Sequence, residues 1–478
     1  MSTARSQLPS FRLLSEPELA FHPERDEDRH KHPLLGLISF GPFSRSLVGG
    51  VFDPIRIAMI VPHGMTRQID GLLAELERQH WPRERKQYLV EFPGFSRVFG
   101  VRAVSAASGA RIELPGSLDA ELAQSKRPHL LLAEKIASAL SVLQLSRHDF
   151  DVLFILMPEK WEQCFYGGAD EDFDLHDYLK AIAAVRGMPV QILRESHALS
   201  YPCRASVMWR LGIALYSKAG GVPWKLADAD PETAYVGLSY AMRQTPEHGP
   251  RFVTCCSQVF DSDGAGLEFL LYETEDVHLE RDNPFLSRSE MRRVMARSLS
   301  MYQRRHAGRI PKRVVVHKST EFKPEEVDGC FDAWRSSEGL ELVQVQQDVF
   351  WQGVQMVADP KGKPKPDPYP CHRGSCLQIG TREILLWTQG NAPSAVGGKN
   401  FFKEGKGVPS PLLLVRYAGH GGWDEGCQAV LQLTKMNWNN DSLYDRLPVT
   451  LGYASVLART IKRMPELASK PYEFRMFM

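Results

Sequence analysis

K-A-G-G-V-P-W-K-L-A-D-A-D-P-E-T-A-Y-V-G-L-S-Y-A-M-R, residues 218–243, divides this chain into two differently patterned halves. The stretch opens with Lys218, the last residue of an amphipathic run over 205–218. Gly220 and Gly221 follow at once, and glycine is the usual stop for a helix because it enters the left-handed conformation without strain. The stretch ends in an apolar strand over 234–240 that carries a serine, Ser239, near its middle.

Upstream, apolar strands alternate with helical periodicity. A strand over 55–61 is closed by Pro62-His63-Gly64, and helical patterns follow over 66–80 and 130–145. A second strand over 151–157 ends at Pro158. A helix over 174–186, a strand over 189–193 and the helix over 205–218 complete the half. This alternation predicts an α/β, Rossmann-like parallel sheet, and without a G-x-G-x-x-G run it does not imply a dinucleotide. Downstream, three strands come in quick succession, over 234–242, 252–261 and 267–273, as an antiparallel meander would. A basic helix over 287–306, a strand over 313–317, a helix over 324–334 and strands over 340–346, 378–386 and 412–417 follow, with a closing helix from Pro448. That order is ribonuclease-H-like. Residues 1–48 read as an irregular N-terminal extension, 49–222 as the first domain and 223–478 as the second.

Composition limits the functional classes. The 478 residues are 43% hydrophobic and 24% charged, with a formal net charge of +1, so any anion binding must come from local patches. No apolar run approaches the ~20 residues of a membrane span, and the polar first 15 residues lack a signal core. Eight cysteines in so long a chain do not form a disulfide framework. Cys371 and Cys376 around His372 lack zinc-finger spacing and read as plain thiols. These features predict a cytoplasmic protein.

His176 and Lys180 are four apart and share one helix face. Gln191 lies on the next strand, and Lys218 ends the later helix. Two lysines, a histidine and an amide could converge on one phosphate. The runs H-D-Y-L-K-A-I-A-A-V-R-G-M-P-V-Q-I-L (176–193) and Y-S-K-A-G-G-V-P-W-K-L (216–226) resemble the MID domain of Argonaute proteins. The resemblance implies that His176, Lys180, Gln191 and Lys218 bind the 5′ phosphate of a guide strand. Ala214 stands where relatives often carry a further lysine. A divalent ion such as Mg2+, held by the guide phosphate with the C-terminal carboxylate of Met478, belongs to the same expectation.

The second half resembles a PIWI domain, through R-V-V-V-H-K-S-T-E-F (313–322), L-T-K-M-N-W-N-N (433–440) and L-P-V-T-L-G-Y-A (447–454). Active members hold two metals on carboxylates at these elements. The matching positions here are Ser239, Ser319 and the run 437–440, which contains no carboxylate; Asp441 is the nearest. A neutral hydroxyl is a poor ligand for a hard cation, so the resemblance implies an inactive nuclease site. Asp261, Asp263 and Asp332 are carboxylates off the family's positions, and they carry the alternative of an active guide-directed DNA endonuclease. Arg292, Arg293, Arg297, Arg304 and Arg305, with Arg309, Lys312 and Arg313 beyond, are expected to grip a guide–target duplex by its backbone.

The resemblance runs from about Leu34 to the end and leaves nothing for further Argonaute domains. The chain therefore looks like a short, catalytically inactive prokaryotic Argonaute. Its expected role is to hold a guide RNA, sense complementary target DNA and switch on an APAZ-containing effector protein. That effector is expected to be sirtuin-like and NAD-depleting, with a TIR or nuclease effector as the other types. A nucleic-acid-free structural subunit is the remaining class.

Overall fold

The computed structural model describes residues 11–47, 50–83, 88–168, 171–245, 249–260, 268–274, 276–280, 283–402, 407–463 and 472–478. Asp261 and Asp263 lie outside the described residues.

The first half is built on a parallel sheet. Ile55–Val61 pairs with Ala103–Ser105 and Arg111–Glu113 on one edge and with Val152–Met157 on the other, and Val190–Arg194 continues the sheet. Val152–Met157 is buried along its whole length, as a parallel strand covered on both faces must be. Helices Pro128–Gln144 and Leu175–Val185 pack into one apolar cluster, and Thr66–Leu76 and Arg204–Lys218 face the other.

The second half is a ten-stranded mixed sheet. At its centre Thr233–Thr245 pairs antiparallel with Gly249–Phe260, which pairs antiparallel with Glu268–Thr274. On its other side Thr233–Thr245 runs parallel to Arg313–Lys318, and that strand runs parallel to Gly339–Gln346. This is the ribonuclease-H-like order. Ala234, Val236, Leu238, Val314 and Val316 pack under helices Arg288–Arg305 and Pro324–Ala333. Tyr235 and Val315 belong to the opposite face, covered by helix Val449–Ile461. The strand expected over 378–386 is two strands, Ser375–Gln378 and Glu383–Leu386, folded on each other.

The described part of the N-terminal segment, residues 11–47, is not irregular. Phe11–Leu13 is the outermost strand of the large sheet, paired with Ser375–Leu377. Leu19–Ala20 pairs with Lys225–Leu226, and Pro33–Phe40 is a helix with proline in its first turn. Strands of two and three residues have no visible periodicity, and the partners that tie them to the rest of the chain lie hundreds of positions away. The segment is pinned by Glu16, whose carboxylate takes Arg373 Nε at 2.9 Å and Lys435 Nζ at 2.7 Å in the core. Among the described residues no helix is long and apolar enough to cross a membrane.

Candidate nucleic-acid-binding site

The four residues of the expected pocket come together. Asp174 caps helix Leu175–Val185 by accepting the Asp177 N–H at 3.1 Å, which sets His176 and Lys180 one turn apart. Helix Arg204–Lys218 stops where Gly220 adopts φ +99°. A Cβ on Gly221 would come within 2.2 Å of the Tyr216 ring, so this close return needs glycine. The stop leaves Lys218 at the helix end, where its Nζ donates to Gln191 Oε1 on the neighbouring strand. Lys180 Nζ donates to the Phe477 carbonyl at 3.3 Å, and Met476, Phe477 and Met478 are all buried. Segment Tyr472–Met478 therefore lies against the pocket.

The electrostatics are unusual. Lys180 is 6% exposed and Lys218 is 1% exposed. Burial pushes the Lys180 ammonium down to about 8, against the pull of Asp177. Burial, reinforced by Lys180 itself, pushes Lys218 well below the ordinary lysine range. Burial also lowers His176, whose Nδ1 lies 3.3 Å from Asp177 Oδ1. No side-chain carboxylate among the described residues pairs with Lys218. An uncompensated buried ammonium costs several kcal/mol. Lys218 is in that position, beside Lys180, whose charge Asp177 only partly offsets, and next to a cavity of about 540 Å³ lined by His176, Gln191, Arg194, Tyr201, Arg210 and Asn439.

Three contributors were missed in the sequence. Asp177 balances Lys180 and His176, and its position three after Asp174 was the available signal. Arg459, from helix Val449–Ile461, lies 3.8 Å from Asp177 Oδ2, and no local pattern links residues so far apart. Asp174, His176 and Asp177 form the only group of three potential metal-ligating side chains found among the described residues, with ligand atoms within 4.8 Å of one another. No such group of described residues lies at the serines.

Ser239 and Ser319 stand side by side. Leu238 and Lys318 are the last paired residues of their parallel strands, and each serine is the next residue. The Ser239 hydroxyl donates to the Ala454 carbonyl at 2.9 Å, and His317 Nδ1 lies 2.9 Å from Thr450 Oγ1. Helix Val449–Ile461 thus sits directly over this strand end. Ser319 is exposed. Lys318 is turned to the other face, where it is fully buried against Glu326 with N–O distances of 2.6 and 2.7 Å.

The run 437–440 is held elsewhere. Asn437 and Asn440 both donate to Asp445, and Asn439 lines the cavity. Asp441 accepts from Ser206 at 2.6 Å and from Arg210 at 2.7 Å, joining the two halves of the chain. Asp332 is clamped by Arg288 at 2.6 Å and by Arg335 at 2.6 Å, which hold its carboxyl well below the usual range.

Arg292, Arg293, Arg297, Arg304 and Arg305 on helix Arg288–Arg305 are exposed, on an element that is not part of the pocket. Met291, Val294, Met295 and Met301 anchor that helix to the sheet face opposite helix Val449–Ile461. Periodicity showed which helix face is apolar, and it does not say which side of a sheet the helix will cover.

No protein-family model matches the chain, and no curated protein matches it. Solved structures do. The Argonaute of Clostridium butyricum, bound to a guide DNA and a 19-mer target DNA, matches with a TM-score of 0.62 at 14% identity, over 95% of this chain and 53% of that one. The Argonaute of Aquifex aeolicus matches with a TM-score of 0.60 at 15% identity, over 98% of this chain and 57% of that one. A structure of Aa-Ago with externally bound siRNA gives 0.63 at 16%, over 98% and 56%. The chain spans about half the length of these proteins. At such identities the likeness shows the fold, a Rossmann-like domain followed by a ribonuclease-H-like domain, arranged as MID and PIWI domains are.

Proposed function

We propose that this chain, folded as an Argonaute MID–PIWI pair, binds a guide RNA by its 5′ phosphate and pairs it with complementary DNA without cutting. The observation that carries the reading is the buried pair Lys180 and Lys218 beside the His176–Gln191 cavity, with no side-chain counter-charge for Lys218 among the described residues. A terminal phosphate supplies both the missing charge and acceptors for His176 and Gln191. Mg2+ fits an all-oxygen donor set of guide phosphate and Met478 carboxylate, and when bound it would neutralise phosphate charge. The experiment compares 5′-phosphorylated and 5′-hydroxyl guides: the phosphorylated guide is expected to bind at least tenfold more tightly, and equal binding would defeat the reading.

The pocket carries its own pH dependence. Lys180 has its folded-state value lowered to about 8, so below that pH it is already charged and ready for an anion. Above it, binding must take up a proton, and affinity should fall with rising pH. Below about 6 the phosphate itself gains a proton. Preference for the 5′-phosphorylated guide is therefore expected to be greatest between about pH 6 and 8, as a titration of the binding constant would record.

Non-cutting is supported by Ser239 and Ser319 standing just past the last parallel pair, Leu238 and Lys318, with the Ser239 hydroxyl engaged by Ala454. The described carboxylates Asp332 and Asp441 are committed to arginines. Detection without cutting needs an effector elsewhere. We assign that role to a cytoplasmic partner with an APAZ segment and a sirtuin-like NAD-depleting domain, serving antiviral defence by death or dormancy of the infected cell. Copurification of the native complex tests this: a TIR or nuclease partner would change the output, and no copurifying protein would remove the effector.

A further inference from the structure

A second feature of the large sheet lies outside the pocket. Strand Gly339–Gln346 runs parallel to Arg313–Lys318, so its far end lies level with Ser319, whose carbonyl takes Gln344 Nε2 at 3.3 Å. The chain leaves the sheet just beyond, and residues 347–367 form an anchored projection. Arg446 donates to the Gln347 carbonyl at its base. Gly353 is pressed so closely on Cys371 and Trp387 that a Cβ would come within 2.5 Å of the Cys371 sulfur. Met356–Ala358 and Pro364–Pro366 then pair as a hairpin, and the Asp359 carboxylate closes its turn by accepting the N–H groups of Lys361 at 2.9 Å and Lys363 at 2.7 Å.

On this scaffold Phe350 is wholly exposed and Trp351 is 49% exposed. Lys361, Lys363 and Lys365 are exposed too, and among the described residues none forms an ion pair. Two of the projection's acids are turned inward, Asp359 to its turn and Asp367 to the Tyr369 N–H at 2.9 Å. The outward chemistry of the projection is therefore two aromatic rings, the apolar Val354 and Met356, and three unpaired lysines against one exposed carboxylate, Asp348.

We propose that residues 347–367 are a stacking platform for single-stranded nucleic acid leaving the strand end at Ser239 and Ser319. Exposed rings are matched by unpaired bases, which present a π-face that paired bases keep stacked, and the lysines match the phosphates between them. Three exposed lysines against the single exposed carboxylate of Asp348 favour a polyanion with flat apolar faces, which an unpaired strand supplies. The proposal rests on the reading that guided DNA reaches Ser239 and Ser319, and it adds a second contact outside the guide pocket.

The test uses Phe350→Ala/Trp351→Ala and Lys361→Ala/Lys363→Ala/Lys365→Ala, in the guide-loaded protein and in the protein alone. Probes are complementary DNA with and without an unpaired extension, and oligo(dT). The aromatic double variant is expected to bind the extended target and oligo(dT) about tenfold or more weakly, with the blunt target unchanged. The lysine variant should flatten the salt dependence by about 0.7 in log–log slope per lysine. Equal binding by wild type and both variants would overturn the proposal. Loss of a copurifying protein with nucleic-acid binding intact would overturn it in favour of a protein dock. Preference for 5′-phosphorylated guide, measured on the same variants, should not move, which separates this platform from the pocket.

Discussion

Lys218→Met is expected to abolish selection of the guide 5′ phosphate while making the ligand-free protein more stable. The two effects have one cause. Lys218 is 1% exposed, its folded-state value is depressed by burial and by Lys180, and it has no side-chain carboxylate among the described residues. Replacing such a charge with an apolar side chain of similar length relieves a desolvation cost. The same replacement removes a buried charge-assisted contact to the phosphate, which costs about 2–4 kcal/mol or roughly 30- to 1000-fold in affinity. Thermal melting of the free protein should rise, and the ratio of affinities for 5′-phosphorylated and 5′-hydroxyl guides should fall toward one. Lys180→Met should act in the same direction but less strongly, because Asp177 already compensates that lysine. A variant that lost stability and kept its phosphate preference would place Lys218 in the core as a packing residue only.

Glu16→Ala is expected to destabilise the whole chain by about 3–5 kcal/mol. Glu16 is the single carboxylate between Arg373 and Lys435, all three buried, and removing it strands two positive charges. Burial alone would raise its pKa; Arg373 and then Lys435 outweigh that and lower it. A lowered carboxyl stabilises the fold above its unfolded value and loses that contribution as pH falls through the folded value. Wild-type stability should therefore drop on acidification below the ordinary glutamate range, and Glu16→Ala should show less of that drop. Urea melts at neutral and acid pH would measure both.

The central elements could be read from sequence because each carries its own period. Val152–Met157 is uniformly apolar, and the buried positions of Arg288–Arg305 recur at helical spacing. The pocket could be read because its four residues lie within 43 positions and on adjacent elements of one sheet. What was hidden depends on long-range closure. Phe11–Leu13 has a partner more than 360 positions away, and Arg459 reaches Asp177 across the two halves. Glu16 looks like any polar residue in a charged segment until Arg373 and Lys435 surround it. The basic helix marks another limit: its arginines are exposed, but periodicity alone does not say which sheet face the helix covers.

Joining these parts, helix Val449–Ile461 touches both candidate functions. Thr450 and Ala454 cover the strand end with the two serines, and Arg459 stands beside the pocket at Asp177. One helix thus connects the place that would hold a guide 5′ end with the place of the two serines. The most direct measurement is to load the protein with a 5′-phosphorylated guide RNA, add end-labelled complementary DNA with Mg2+ or Mn2+, and follow retention and length of the DNA together. The account predicts DNA that is retained only when complementary and recovered at full length. Metal-dependent cleavage opposite the guide, abolished by changing a carboxylate of the second domain, would contradict it, as would equal retention of unrelated DNA.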